Sequence, residues 1–84
     1  MEWPPWWGWT LQLTAHLRKR MADRSFTEVD LRGMLQVAHG YRPDVVDDRW
    51  VIETRHKSGA WEVIVEPDPA AENLVVVTAY PVEG

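Results

Sequence analysis

Apolar and polar positions alternate most clearly from Arg49 to Glu66, RWVIETRHKSGAWEVIVE, and this period of two predicts a β-hairpin. Ser58-Gly59 is a turn dipeptide between two runs rich in Val, Ile, Thr and Trp. With those two residues as the loop, Lys57 faces Ala60, while His56, Thr54 and Ile52 face Trp61, Val63 and Val65. Side chains alternate across a strand, so these residues and Trp50 share one mostly apolar face. The other face sets Arg55 against Glu62, Glu53 against Ile64 and Val51 against Glu66. A slip of one residue would turn Glu62 and Glu66 inward, so the pattern fixes which face is buried. A lone hairpin is marginal in water, and the rest of the chain must cover it.

Ahead of the hairpin the apolar period lengthens to that of a helix. The spacing predicts a first helix from Thr14 to Arg24, with Thr14 as N-cap and Leu13, Leu17 and Met21 as its apolar stripe. His16, Arg20 and Arg24 follow at i, i+4 and i+8 beside that stripe, where cations need acidic partners, backbone carbonyls or a cleft. Ser25 breaks the run. A second helix starts at Thr27, with Asp30 in capping-box position and Phe26 placed to staple onto Leu31. Leu31, Met34, Leu35 and Ala38 continue it, Gly40 is expected as its left-handed terminator, and Pro43 stops it.

Short strands are expected at Trp9 to Leu13, as an edge, and at Val45-Val46. PDPAAEN (67–73) reads as a polar loop, and LVVVTAY (74–80), apolar on both faces, as a central strand. The fold class predicted is therefore α+β, two N-terminal helices packed on a small antiparallel sheet of three to four strands. Residues 10–84 form one domain, preceded by a Trp- and Pro-rich arm over residues 1–9.

That arm, MEWPPWWGW, holds four of the six tryptophans, and its two prolines are expected to exclude helix and favour an extended or polyproline-like path. Trp3, Trp6 and Trp7 are candidate partner-docking residues, because indole is costly to leave in water. Packing on their own domain, or against a second copy in a homo-oligomer, answers the same cost.

Composition narrows the chemistry. With no cysteine there is neither a disulfide framework nor a thiolate zinc site, and His16, His39 and His56 are too widely spaced for a local ligand pair. No metal and no cofactor is expected. The longest purely aliphatic run, Leu74 to Val77, is far short of a membrane span, so the expected setting is cytoplasmic with no membrane partner. The net charge of −4 divides into +2 over residues 1–43 and −6 over 44–84, which disfavours broad nucleic-acid binding but leaves a basic patch in the first half.

No phosphate-cradling loop, nucleophile elbow or metalloprotease helix is present. The candidates are His16, Arg20 and Arg24 on the first helix, Glu53, Arg55 and His56 on the hairpin, and Thr78 and Tyr80 on the last strand. Metal-independent RNA cleavage needs a base for the 2′-hydroxyl, an acid for the leaving oxygen and cations for the phosphorus centre. Histidine, arginine and tyrosine at the mouth of a small sheet can fill those roles. The same residues also suit plainer ones: His16 as a polar rim residue, Arg20 and Arg24 in ion pairs with Glu53, Glu62 or Asp30, and Thr78 and Tyr80 as ordinary strand formers.

LTAHLRKRMADRSFTEVDLRGML, followed by RWVIETRH, WEVIVEPD and LVVVTAYPVE, resembles the family called domain of unknown function 4258. Its frame is a His, an Arg four residues on and another four beyond, then strands ending in a Thr-x-Tyr element. Here these are His16, Arg20, Arg24, Thr78 and Tyr80, and the likeness runs from Leu11 to Val82. Ser25 stands where the family often has Gly, and the chain is acidic where the related toxins tend to be basic. The resemblance implies kinship with RelE and barnase-like endoribonuclease toxins and a RelE-like fold. By that analogy His16, Arg20 and Tyr80 are catalytic, Arg24, Arg55 and Thr78 bind substrate or phosphate, and the partners are an RNA and an antitoxin protein. The competing expectation is a non-catalytic protein-interaction module that binds its partner through the arm.

Overall fold

The protein is described from a computed structural model covering residues 2–83. Chain order is β1 (Thr10–Leu13), α1 (Ala15–Asp23), α2 (Glu28–Gln36), β2 (Gly40–Pro43), β3 (Trp50–His56), β4 (Gly59–Asp68) and β5 (Asn73–Pro81). The strands form one sheet in the order β1-β5-β4-β3-β2.

This corrects the predicted architecture. The sheet has five strands rather than three or four, and it is mixed rather than antiparallel, because β1 pairs parallel with β5 in the register Thr10↔Asn73 to Leu13↔Val76. The helices follow β1 and are not N-terminal, so the RelE-like arrangement inferred from the resemblance is not what the chain adopts. The physical reason lies in β5, whose doubly apolar sequence calls for neighbours on both sides. β4 takes one edge and β1 the other, with Leu11 and Leu13 set beside Leu74 and Val76.

Both helices begin as their sequences dictate. The Thr14 hydroxyl accepts from the Leu17 N–H at 3.0 Å, capping α1, and Thr27 and Asp30 form a reciprocal capping box on α2. The helices bury Leu17, Leu31 and Met34 against one face of the sheet, where Phe26, Ile52, Trp61, Val63, Val65, Leu74, Val76 and Ala79 complete the core. The Thr54 hydroxyl, buried in that face, donates to the Met34 carbonyl and ties β3 to α2.

Several boundaries differ from expectation. α2 ends at Gln36 with Val37 as its cap; Gly40 does not terminate it with a positive φ but opens β2, so the extra strand is Gly40–Pro43 and not Val45-Val46. In the arm, Pro5–Gly8 is a turn of 3₁₀-helix, since Pro at the first helical position has the required φ and loses no hydrogen bond. In the hairpin, the loop is Lys57-Ser58, with φ of 51° and 65°, and the pairs become His56↔Gly59, Thr54↔Trp61, Ile52↔Val63 and Trp50↔Val65. Two consecutive left-handed residues give the primed turn whose twist matches that of the strands. The shift is by two, so every side chain keeps its predicted face.

Candidate functional site

The helices cover one face of the sheet and leave the other open. On the open face alternation places Arg42 of β2, Glu53 and Arg55 of β3, Glu62 and Ile64 of β4, and Thr78 and Tyr80 of β5. Val51 and Ile64 are nonetheless only 4% and 6% exposed, an apolar strip hidden among longer polar side chains.

The corrected register puts Glu53 directly opposite Glu62, two like charges that repel across the ladder. Arg42 resolves the conflict. Its Nη1 donates to Glu53 Oε2 at 3.1 Å and its Nη2 to Glu62 Oε2 at 3.0 Å. The Tyr80 hydroxyl donates to the remaining Glu62 oxygen, Oε1, at 2.8 Å. Four neighbouring strands thus each contribute one side chain to a continuous polar belt.

The belt's electrostatics follow from its geometry. Partial burial works against the charged form of Glu62, but the bonds from Tyr80 and Arg42 outweigh it and hold the carboxyl below the ordinary glutamate range. Arg42 is raised, chiefly by its bond to Glu62. Tyr80 is pushed up to about 12, first by burial and then by donating to Glu62. A phenol at about 12 does not exchange protons near neutral pH, and a carboxylate held by two donors is a weakened base. The belt is therefore organised to cross-link strands.

The predicted catalytic residues do not meet. α1 lies on the helix-covered face, where Leu17 is fully buried, while Tyr80 and Thr78 lie on the open face. His16 is exposed near the start of α1 and makes no side-chain hydrogen bond among the described residues. Arg20 approaches Asp23 at 3.9 Å on its own helix, and Arg24 is the exposed C-cap. Arg55 is exposed and faces Ala60 rather than Glu62. Thr78 faces Ile64. His56 packs edge-on against Trp61 at 5.3 Å.

The arm folds back on the domain. Trp3 stacks on Trp7 at 4.2 Å and on Tyr41 at 5.4 Å, and Trp6 meets Tyr41 at 6.1 Å and Trp50 at 5.8 Å. The Tyr41 hydroxyl donates to the Glu2 carbonyl at 3.3 Å. All five residues are partly buried. On its other side the arm forms a groove of about 280 Å³ with α2, floored by Trp9, Leu11, Leu35 and Leu74 and rimmed by Arg32 and Gln36. A second cavity, of about 370 Å³, opens at the end of the sheet between Trp50, Pro67 and Pro69.

Arg42 is the belt residue that the sequence reading does not single out. Its segment lies between Gly40, expected to terminate α2, and Pro43, expected to stop it. The signal is nevertheless there, because Tyr41 and Arg42 alternate apolar and polar one short loop ahead of a strand carrying Glu53.

Among the described residues no group of three or more His, Asp or Glu side chains could hold a metal ion, and no helix is long and apolar enough to cross a membrane. The chain matches no family model, no curated protein and no solved structure, so the reading of its function rests on the geometry itself.

Proposed function

We propose that the domain is a non-catalytic protein-interaction module that binds its partner through the aromatic cluster of the arm, Trp3, Trp6 and Trp7, set against Tyr41 and Trp50. A cytoplasmic setting belongs to the same proposal. The observation that carries it is the incomplete burial of that cluster. Five large rings are held in fixed mutual orientation by stacking and by β2 and β3, and each keeps part of its surface in water. Rigid, partly buried Trp and Tyr side chains are the usual anchors of a protein interface.

The endoribonuclease expected from the resemblance finds less support. Its acid–base pair would have to reach one phosphodiester, yet His16 and Tyr80 lie on opposite sides of the sheet, and Tyr80 is already committed to Glu62. RNA and antitoxin partners belong to that rival reading.

Selection of random dodecapeptides displayed on phage tests the proposal. Wild-type protein is expected to retain a reproducible set of sequences that a folded Trp3→Ser/Trp7→Ser variant does not. In parallel, a fluorogenic RNA incubated without metal should stay intact. RNA cleavage by the wild type that is lost in His16→Ala would overturn the reading in favour of the enzyme.

A further inference from the structure

We propose that the partner's docking segment is a basic peptide, one of whose Lys or Arg side chains enters the cavity between Trp50, Pro67 and Pro69. This rests on reading the domain as a protein-interaction module. The cavity, of about 370 Å³, is lined by Trp50, Pro67, Pro69, Asp48 and Glu66. A lining of one Trp, two Pro and two acidic residues suits a cation carried on an apolar stem, because the stem packs on apolar surface while the charge meets the acids.

The surroundings match in charge and in polarity. Pairing of Pro43 with Trp50, Trp50 with Val65, and Asp68 with Asn73 brings the β2–β3 and β4–β5 loops to the same end of the sheet. Those loops carry Asp44, Asp47, Asp48 and Glu72, and Asp68 ends β4 beside them. Arg49 is the nearby cation, and it engages only Oε1 of Glu66, at 3.1 Å. Val45 is 98% exposed and Val46 46%, so the acidic loop also presents apolar side chains with no cover among the described residues. An acidic surface interleaved with exposed valines and a Trp-lined cavity is complementary to a segment mixing Lys or Arg with apolar residues. The surface adjoins the aromatic cluster directly, since Trp50 belongs to both.

The dodecapeptide library provides the test, applied to wild type and to Asp48→Asn/Glu66→Gln. Asn tolerates the left-handed backbone at position 48, where φ is 68°, and Gln keeps an acceptor for Arg49. Peptides retained by the wild type are expected to hold about twice the Lys and Arg content of the unselected library, and the variant should lose that excess. Individual peptides should bind the variant roughly five-fold or more weakly, with the difference shrinking in high salt. Peptides that depend on Trp3 and Trp7 but show no basic excess would overturn this inference and leave the interaction module standing. Retention of no peptide at all would sink both. Sedimentation supplies a further check: a wild-type dimer at micromolar concentration that dissociates in Asp48→Asn/Glu66→Gln would assign the surface to a second copy of the chain and overturn the peptide proposal.

Discussion

Glu53 and Glu62 sit directly across from each other on adjacent strands and both point to the open face, where one guanidinium, that of Arg42, bridges the pair. Removing the cation leaves two opposed carboxylates. Arg42→Met is expected to cost about 1 kcal/mol, because these groups are partly solvated and water screens much of their repulsion. Adding Glu53→Gln should recover most of the loss. A denaturation series on the two single variants and the double variant measures the coupling, and strict additivity would mean that Arg42 does not act through Glu53.

Gly40 leaves room for Glu53. A Cβ at position 40 would lie 2.6 Å from Glu53 Oε1, so Gly40→Ala must push that carboxylate aside and pull it from Arg42. The expected cost is about 1 kcal/mol in the wild-type background and much less in Glu53→Ala, where the obstacle is gone. Equal costs in both backgrounds would place the penalty in the backbone of β2 instead.

Tyr80 should titrate late. Its phenol moves from an ordinary 10.0 to about 12, so the folded state favours the neutral form. The stability this contributes is fully present below pH 10 and is lost as pH rises from about 10 to about 12, where the unfolded chain ionises and the folded one does not. The difference in tyrosinate absorbance between wild type and Tyr80→Phe should show a midpoint near 12, falling towards 10 in Glu62→Gln. Glu62 has the opposite sign. Its depressed folded value gives stability that is present above the unfolded glutamate range and is lost as pH falls through the folded value, so Glu62→Gln should flatten the acid limb of the stability curve.

The hairpin loop carries removable strain. Lys57 and Ser58 both hold a positive φ, at 51° and 65°, without being glycine. Lys57→Asn with Ser58→Gly supplies the pair that primed turns prefer and should stabilise the domain by about 1 kcal/mol, seen as a rise of several degrees in Tm. No change, or a fall, would mean that the neighbouring strands and not the loop set the turn's conformation.

Much of the fold was legible because it is written locally. The capping box of Thr27 and Asp30, the cap at Thr14 and the buried face of the hairpin each depend on residues a few positions apart. The register was not, because a shift of two leaves every face unchanged and the apolar pattern cannot distinguish the alternatives. Partners from outside the hairpin favour one of them: Arg42 from β2 and Tyr80 from β5 both converge on Glu62. The parallel pairing of β1 had no local trace at all. For the same reason Glu53 and Tyr80 could be assigned to strands but not to a shared belt, and His16 could not be seen to lie on the far side of the sheet.

The contact between the first strand and the last has a consequence for how the chain reaches its native state. Thr14 bonds to Val77 across 63 positions, so β1 cannot be seated until β5 exists. Closing so long a loop before any reward is collected slows folding relative to a domain of local contacts. During synthesis Leu11, Leu13 and the tryptophans of the arm leave the ribosome before β5 and wait for their partner strand, exposed to neighbouring nascent chains for the whole interval. A circular permutant that joins β5 to β1 through a crossover of about a dozen residues or more, as parallel neighbours require, would reduce their separation in sequence and should shorten that vulnerable period.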